Sequence, residues 1–231
     1  MSIDLVKPES VGRFVAIVGG GGVSLPAMSL YLTGDTGVTQ SGGTVDAWAD
    51  QSASGYNFSQ VGAARPGYTA SGQNGLPNIT FDVNQYLTSA AATLAAPYTI
   101  FIVARVVNVS GYIFDGTPFD KGGLSYAVTD VRLTPSTGGA ITVADTPGAT
   151  TKLYTAVNTG GASSLVQVND GTAGTGTGGG SLVAPWLLGG IASAGFSVDG
   201  WVNEVRVYPA ALSAEQRTAV KAIMNTKWAV Y

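Results

Sequence analysis

The sequence predicts an all-β protein in which two antiparallel sheets pack into a sandwich and one helix ends the chain. From Tyr31 onward, short apolar runs alternate with turn signals at the spacing that is typical of β-sandwiches. The 33 glycines and 10 prolines among 231 residues supply the many turns that such a fold requires. Only the last segment has a helical period, and the length suits a single sandwich domain.

The first 26 residues differ from the rest of the chain. They contain a charged start, an apolar run over residues 14–18, four glycines over residues 19–22, and then Pro26. A strand followed by a hinge is the simplest interpretation. A dinucleotide-binding loop also places glycines after a strand, but it needs a helix next, and residues 23–26 do not start one. We therefore expect residues 1–26 to form an N-terminal arm or anchoring segment and residues 27–231 to form the main domain.

The clearest strand signal covers residues 99–107, which are almost continuously apolar and suit a central strand buried on both faces. Further strands are predicted at residues 78–81, 112–114, 125–133, 153–157, 165–168, 186–188 and 201–208. Residues 171–180 have the low-complexity sequence GTAGTGTGGG, which predicts a flexible loop between two strands.

The C-terminal segment carries a complete set of helix signals. Ser213 followed three residues later by Gln216 forms a capping box, which marks a helix start. A stripe of apolar residues at helical spacing follows, formed by Val220, Ile223, Met224 and Trp228. We expect this stripe to pack against the sandwich and fix the C-terminus there.

Composition excludes several classes of function. The chain has no histidine and no cysteine, which excludes Ser-His-Asp and Cys-His catalysis, thiol redox chemistry and the usual zinc sites. The net charge of −3 and the pI near 4.7 disfavour nucleic acid as a partner, because proteins that bind nucleic acid cluster lysine and arginine.

No segment approaches the roughly 20 apolar residues that cross a bilayer, so no membrane insertion is expected. Asp4, Glu9 and Arg13 interrupt the N-terminal segment, which therefore does not match an export signal.

Three stretches of the chain carry a resemblance to a known family. The first is residues 45–52 (VDAWADQS) with Gly55, followed by Arg65-Pro66 and by residues 76–82 (LPNITFD) leading to Tyr86-Leu87. The second is residues 99–105 (TIFIVAR), and the third is residues 196–208 (FSVDGWVNEVRVY), then 211–213 (ALS) and the helix after them. In this order they resemble the laminin-G-like, concanavalin A-like lectin/glucanase superfamily, as found in phage and bacterial surface proteins. The resemblance covers about residues 28 to 231 and implies a jelly-roll sandwich of two large antiparallel sheets, one of them concave.

Glucanases of this superfamily place two glutamates and an aspartate alternately on one strand. This chain has only Glu9, Glu204 and Glu215, and the same-face neighbours of Glu204 on its predicted strand are Arg206 and Tyr208. The catalytic pattern is absent there, so we expect no enzyme activity. Glu204 and Arg206 are interpreted instead as a local pair at a surface or edge.

The family-like stretches also contain oxygen ligands that suit calcium. Asp46, Asp50, Asp82 and Asn84 lie in or beside them, and many laminin-G-like domains bind Ca²⁺. The alternative is that these side chains cap turns through local backbone hydrogen bonds. No cofactor is required by the sequence, and Ca²⁺ is the one ligand ion considered.

A sugar site on a sandwich needs exposed aromatic rings beside polar groups that orient the sugar. Three pairs next to turn signals fit this description, namely Tyr56 with Asn57, Tyr112 with Asp115, and Phe119 with Asp120. The alternative for each ring is simple packing. A second set of aromatic residues lies in patterned segments and is expected in the core: Trp48, Trp201 and Trp228.

These observations favour a virion-associated surface protein, such as a phage fibre, spike or capsid decoration. Its lectin-like domain would contact host surface glycans, while residues 1–26 contact other virion or assembly subunits. We expect a homo-oligomer that is assembled in the host cytoplasm, resides on the virion and becomes extracellular after lysis. The alternative is a free carbohydrate-binding module of a bacterial polysaccharide-degrading system.

Overall fold

A computed structural model describes residues 14–18, 21–107, 110–190 and 196–231, and for residues 14–18 it describes the backbone alone. The described chain forms 21 strands, two short 3₁₀ helices at Gly62–Ala64 and Gln73–Gly75, and one α-helix. In chain order the elements are β1 (Phe14–Val18), β2 (Gly21–Leu25), β3 (Leu30–Thr33), β4 (Val38–Ser41), β5 (Thr44–Trp48), β6 (Phe58–Ser59), β7 (Gly67–Thr69), β8 (Asn78–Phe81), β9 (Leu87–Ser89), β10 (Leu94–Ala95), β11 (Tyr98–Val106), β12 (Ser110–Asp115), β13 (Leu124–Ala127), β14 (Asp130–Leu133), β15 (Ile141–Ala144), β16 (Lys152–Asn158), β17 (Ser164–Val168), β18 (Gly174–Gly176), β19 (Ser181–Leu182), β20 (Trp186–Leu188), β21 (Gly200–Tyr208) and α1 (Ala214–Trp228).

The strands form two layers with antiparallel pairing. In the layer that we term the helix-side sheet, β3 and β8 both pair with β21, and β11, β16, β17 and β18 follow in that order. The other layer, termed the open sheet, has the order β4, β5, β6, β9, β20, β12, β13, β14, β15. Strand β7 pairs with both β5 and β8 and so joins the layers. The predicted all-β, jelly-roll-like sandwich with one C-terminal helix is confirmed.

Strand β11 lies at the centre of the helix-side sheet and is buried on both faces, as its apolar sequence predicts. Ile100 and Ile102 point into the core between the sheets. Phe101 and Val103 alternate with them and belong to a second apolar cluster under α1. The sandwich therefore has a main core between its layers and a smaller core between the helix-side sheet and the helix.

Helix α1 begins as the capping box predicts. The Ser213 hydroxyl accepts a hydrogen bond from the Gln216 backbone N–H at 3.2 Å, and the Gln216 side chain accepts one from the Ser213 N–H at 2.9 Å. Val220, Met224 and Trp228 are fully buried against the sheet. The predicted stripe is confirmed, because these side chains cover the outer face of β11, β16 and β21.

Two predictions about strands and loops need correction. The single strand expected over residues 125–133 is a hairpin of β13 and β14, and it turns at Val128, whose φ of 54° is rare for a β-branched residue. The flexible loop expected over residues 171–180 contains β18, which pairs with β17. At Gly174 a Cβ atom would lie 1.8 Å from the carbonyl oxygen of Thr142, so glycine permits the close approach of two backbones.

The pair of Glu204 and Arg206 is not at a surface, as the sequence suggested, but deeply buried. One Glu204 oxygen accepts from Arg206 Nε at 2.5 Å and the other accepts from Trp228 Nε1 at 2.7 Å. The prediction was wrong because the C-terminal turn of α1 covers the outer face of β21 at this point. The charge pair thereby links the helix to the sheet.

Strand β1, predicted from its apolar run, pairs with β2 in a two-stranded ribbon. Leu25 at the end of β2 and Met28 after it are buried in the cluster under α1. Gln216 Nε2 of the helix donates to the Ser24 carbonyl at 2.8 Å. Residues 1–13, which include Glu9, and residues 19 and 20 lie outside the described residues, and the anchoring role of residues 1–26 stays a prediction. Within the described part of the chain, no helix has the length and apolar content needed to cross a bilayer.

Candidate functional site

Three neighbouring strands of the open sheet place polar and aromatic side chains in one row on its outer face. Tyr112 of β12 lies opposite Ser125 of β13, and Ser125 lies opposite Arg132 of β14. The residues flanking Ser125 and Arg132 along their strands point the other way, into the core, as strand alternation requires. The sequence thus builds a Tyr-Ser-Arg row that no helix of the described residues covers.

This row forms the floor of a cavity of about 370 Å³. Asp120 from the β12–β13 loop, residues of the β14–β15 loop and Phe196 complete its walls. We term it the aromatic cavity and define it by Tyr112, Asp120, Ser125, Arg132 and Phe196.

The segment carrying Phe196 is held beside β12 by backbone contacts. The Tyr112 N–H donates to the Phe196 carbonyl at 3.1 Å, and an isolated parallel bridge joins Tyr112 to Ser197. Gly111 makes this approach feasible, because a Cβ atom there would lie 2.8 Å from the Ser197 carbonyl oxygen. Phe196 is therefore positioned by the sheet, although it belongs to a connecting segment.

Aromatic rings cluster at the edge of the cavity. Phe119 and Phe196 are 51% and 45% exposed, and their ring centroids lie 6.4 Å and 6.2 Å from that of Tyr112. These spacings are those of tilted aromatic contacts. Two large apolar rings that stay half exposed around a third form a surface on which the apolar face of a ligand can lie.

Polar groups flank these rings. The Tyr112 hydroxyl donates to Asp120 Oδ1 at 3.0 Å. Burial, with the Asp120 carboxylate as a second cause, raises the pKa of Tyr112 above its ordinary value, so the phenol stays a hydrogen-bond donor at neutral pH. Arg132 stands at the other end of the row and carries the positive charge of the site.

Asp115 does not line the cavity, because it is fully buried. Its Oδ1 accepts from the N–H groups of Lys121 and Gly123, at 3.1 Å and 3.0 Å. Burial raises its pKa to about 7, against the opposing effect of these backbone donors. Asp115 thus organises the loop that carries Phe119 and Asp120.

The remaining predicted sugar contacts lie elsewhere. Tyr56 packs edge-on against the buried Trp186, with 5.5 Å between ring centroids. Asn57 is exposed, and its side-chain oxygen accepts from the Asp50 N–H at 2.9 Å. Neither residue lines the aromatic cavity, so the structure brings together Tyr112, Phe119 and Asp120 from the predicted set.

The four predicted calcium ligands do not converge on one point. The Asp46 carboxylate pairs with the Arg65 guanidinium and accepts from Ser41. Both Asp50 oxygens accept local hydrogen bonds, Oδ1 from the Ser52 N–H at 2.8 Å and Oδ2 from the Tyr56 N–H at 2.9 Å, and Oδ1 also accepts from the distant Tyr31 N–H at 2.9 Å. These two carboxylates therefore have the local partners that a turn-stabilising role requires.

Asp82 and Asn84 lie together in the turn after β8. Asp82 Oδ1 accepts from the N–H of Val83 at 2.6 Å, and Asn84 has a φ of 67°. No group of three or more carboxylates that could hold a metal ion occurs in the ranges that the structure describes. Calcium binding stays a prediction.

A second cavity, of about 430 Å³, lies on the outer face of the helix-side sheet beside Asp82. Trp201 lines it, with the Arg105 guanidinium 4.4 Å from its ring centroid, and donates to Thr151 at 3.1 Å. Trp48 and Trp228 are fully buried, as expected, whereas Trp201 is only half-buried. The ring of Trp201 is already engaged by Arg105, so this cavity offers less free aromatic surface than the first.

Sequence reasoning missed Arg132 and Phe196. Arg132 has a usable signal, because it alternates with the apolar residues Val131 and Leu133 and so faces away from the core. Phe196 has none, since only the tertiary bridge to β12 brings it to the site.

Neither a protein-family model nor a curated protein matches this chain. Among solved structures, the botulinum neurotoxin type G receptor binding domain has a TM-score of 0.61 at 13% identity, over 85% of this chain and 51% of that one. For botulinum neurotoxin type C, whose cell entry is dependent upon interaction with two ganglioside molecules, the TM-score is 0.55 at 12% identity over 84% and 50% of the two chains. Domain 4 of AbnA, a GH43 extracellular arabinanase from Geobacillus stearothermophilus, in complex with arabinotriose, has a TM-score of 0.56 at 12% identity over 84% and 98%. The chain spans about half the length of the toxin chains, and at these identities the likeness shows the fold alone.

Proposed function

We propose that this protein is a glycan-binding domain whose binding site is the aromatic cavity. The observation that carries the proposal is the pair of half-exposed rings, Phe119 and Phe196, that flank Tyr112 at the rim of a polar cavity. An aromatic ring offers apolar area to the C–H face of a sugar, and nearby polar groups fix its orientation. Asp120 and Arg132 supply those groups.

The solved structures of similar fold support this proposal. The AbnA domain is bound to arabinotriose, and the type C toxin interacts with gangliosides. Arabinotriose and gangliosides both contain sugars, and the proteins that bind them have the same sandwich fold as this chain. The shared fold makes a sugar ligand a reasonable expectation, while the placement of the site rests on this chain's own residues.

We further propose that the domain binds without cleaving. Retaining glycosidases need two carboxyl groups about 5–5.5 Å apart that both face the substrate. Glu204 is buried and bound to Arg206 and Trp228, and Glu215 lies in the first turn of α1. Glu204 is therefore closed to a ligand, and Glu215, although exposed, lines neither of the two cavities, which supports a binding role. Release of reducing sugar by pure protein would overturn it.

A glycan-binding domain of this kind can belong to a virion or to a polysaccharide-degrading system. We propose a virion surface, where the domain contacts host glycans and residues 1–26 contact neighbouring subunits of a homo-oligomer. A free carbohydrate-binding module is the second candidate, and the AbnA domain favours it, because 98% of that domain matches this fold. Co-purification with particles supports the first setting, whereas a monomer that binds insoluble polysaccharide and no particle supports the second.

Alanine substitutions at the rings test the binding site. We expect Phe119→Ala and Phe196→Ala to weaken glycan binding about fivefold or more each, since a stacked ring contributes about 1 kcal/mol or more. Tyr231→Ala is the control, because it removes a ring that is 47% exposed but lies at the C-terminus. Glycan arrays followed by calorimetry measure the effect. If the wild-type chain binds no glycan, or both phenylalanine variants bind normally, the proposal fails.

A further inference from the structure

We infer that the aromatic cavity selects an acidic sugar, whose carboxylate or sulfate group binds the guanidinium of Arg132. This inference rests on the proposed glycan binding and adds the chemical class of the ligand. It follows from three features of the cavity: the hydrogen-bonding state of Arg132, its position in the row, and the placement of Asp120.

Arg132 has donor capacity that its neighbours leave unused. Its Nε is shielded from solvent and has no hydrogen-bond partner among the described residues. Its nearest carboxylate contact is with Asp130, at 3.9 Å, which is too long for a hydrogen bond. The Arg132 side chain as a whole is 38% exposed, so its terminal guanidinium nitrogens can donate to an acceptor that enters the cavity.

Five other cations of the described chain differ from Arg132, whereas Arg105, Lys121 and Arg217 have no ion pair among the described residues. Each of these five lies within hydrogen-bond distance of a carboxylate: Arg65, Lys152, Arg206, Lys221 and Lys227. Arg132 faces a cavity with its carboxylate partner out of reach. The site therefore presents a positive charge that the fold itself does not neutralise at close range.

The row places the aromatic rings and the guanidinium at opposite ends of the cavity. Arg132 is two strands away from Tyr112, which corresponds to about 10 Å between their backbones. A sugar ring that lies against Tyr112 and Phe196 can extend an acidic substituent toward Arg132 across Ser125. A guanidinium binds such groups with two parallel hydrogen bonds, and these charge-assisted bonds are stronger than those to a neutral hydroxyl.

The negative charge of the site lies at its other end. Asp120 accepts from the Tyr112 hydroxyl and stands on the Tyr112 side of the cavity. There a carboxylate can accept hydrogen bonds from sugar hydroxyls, but it repels an acidic group. The two charges together favour one orientation, with the hydroxyls at Asp120 and the acidic group at Arg132.

The test compares acidic and neutral glycans on an array that carries uronic acid, sialylated, sulfated and neutral sugars. The wild-type chain is probed beside Arg132→Gln and Arg132→Lys. Arg105→Gln serves as the matched control, because it makes the same change beside the second cavity, and Phe119→Ala reports ring stacking. Thermal melts establish that each variant is folded, and the responding sugar class identifies the source of the acidic group.

We expect the wild-type chain to retain mainly acidic glycans. Arg132→Gln should weaken their binding by about tenfold to hundredfold, which is the usual range for a lost charge-assisted pair. Arg132→Lys should recover part of the loss, and Arg105→Gln should have no effect. The inference is overturned if the retained glycans are mainly neutral, or if acidic glycans bind Arg132→Gln normally. Neutral glycans that are lost with Phe119→Ala would leave the proposed function standing, whereas no binding of any glycan would end both.

Discussion

The buried pair of Glu204 and Arg206 provides the sharpest test of how α1 is held on the sandwich. Replacing Glu204 with glutamine keeps the shape of the side chain but removes its charge. Arg206 would then be a buried cation without its carboxylate partner, beside the Tyr31 ring, 4.9 Å from its guanidinium carbon, and the Tyr208 hydroxyl. The amide also has a single acceptor oxygen, so the Arg206 Nε and the Trp228 Nε1 would compete for it.

The expected cost of Glu204→Gln is large. Burial by itself lowers the pKa of Arg206 and the Glu204 carboxylate raises it, with the result above its ordinary value. Arg206 therefore stays charged, and its charge is unpaired in the variant. Removing one partner of a buried pair typically costs about 3–5 kcal/mol. For a chain of 231 residues, this corresponds to a fall in Tm of roughly 10 °C.

Urea denaturation with linear extrapolation measures the change in the free energy of unfolding. Asp130→Asn is the control, because it makes the same chemical change at the partly exposed pair with Arg132 and should cost less than about 1 kcal/mol. The double variant Glu204→Gln/Arg206→Met removes both charges and should be more stable than Glu204→Gln alone. If Glu204→Gln costs no more than Asp130→Asn, the buried pair does not stabilise the fold as argued.

Three further substitutions test the loop, the helix start and the sheet contact of the site. The pKa of Asp115 is raised to about 7 in the folded state, from 3.8, so the free energy of unfolding should fall as pH rises from about 4 to 7. In urea denaturation at several pH values, Asp115→Asn should not show this fall, and the same pH dependence in the variant and the wild type would contradict the reasoning. Ser213→Ala removes the helix cap and should cost about 1 kcal/mol in the same assay, with no change in glycan binding. Gly111→Ala places a Cβ atom 2.8 Å from the Ser197 backbone, so it should destabilise the chain by about 1–3 kcal/mol and weaken glycan binding. An unchanged melting curve would show that the backbone around Ser197 moves to accommodate the methyl group.

The elements with strong local signals were predictable from sequence. The capping box and the apolar stripe identify α1, and the continuous apolar run identifies β11 as a strand buried on both faces. Both signals depend on residues close in sequence. They are therefore independent of how distant parts of the chain meet.

The failures share a physical cause, which is that tertiary contacts decide the outcome. The turn at Val128 lacks glycine, asparagine or proline, so nothing local separates β13 from β14. Glu204 and Arg206 alternate like solvent-facing residues, and only the packing of α1 buries them. For the aromatic cavity, Tyr112 and Phe119 had local signals, but the register that places Arg132 two strands away from Tyr112 did not.

The two sheets of this sandwich differ in what covers their outer faces, and that difference explains where a ligand can bind. On the helix-side sheet, α1 converts most of the outer face into a second apolar core around Phe101 and Trp228, and the cavity left beside it holds a tryptophan ring already engaged by Arg105. On the open sheet, the outward positions of β12, β13 and β14 carry Tyr112, Ser125 and Arg132, and the loops at its edge add rings without filling the cavity. Inward-facing residues of the same strands hold the core, so the outward row can change without loss of the fold. A change of ligand in a related sandwich should therefore appear first in this row and its loops, while the residues under α1 stay apolar.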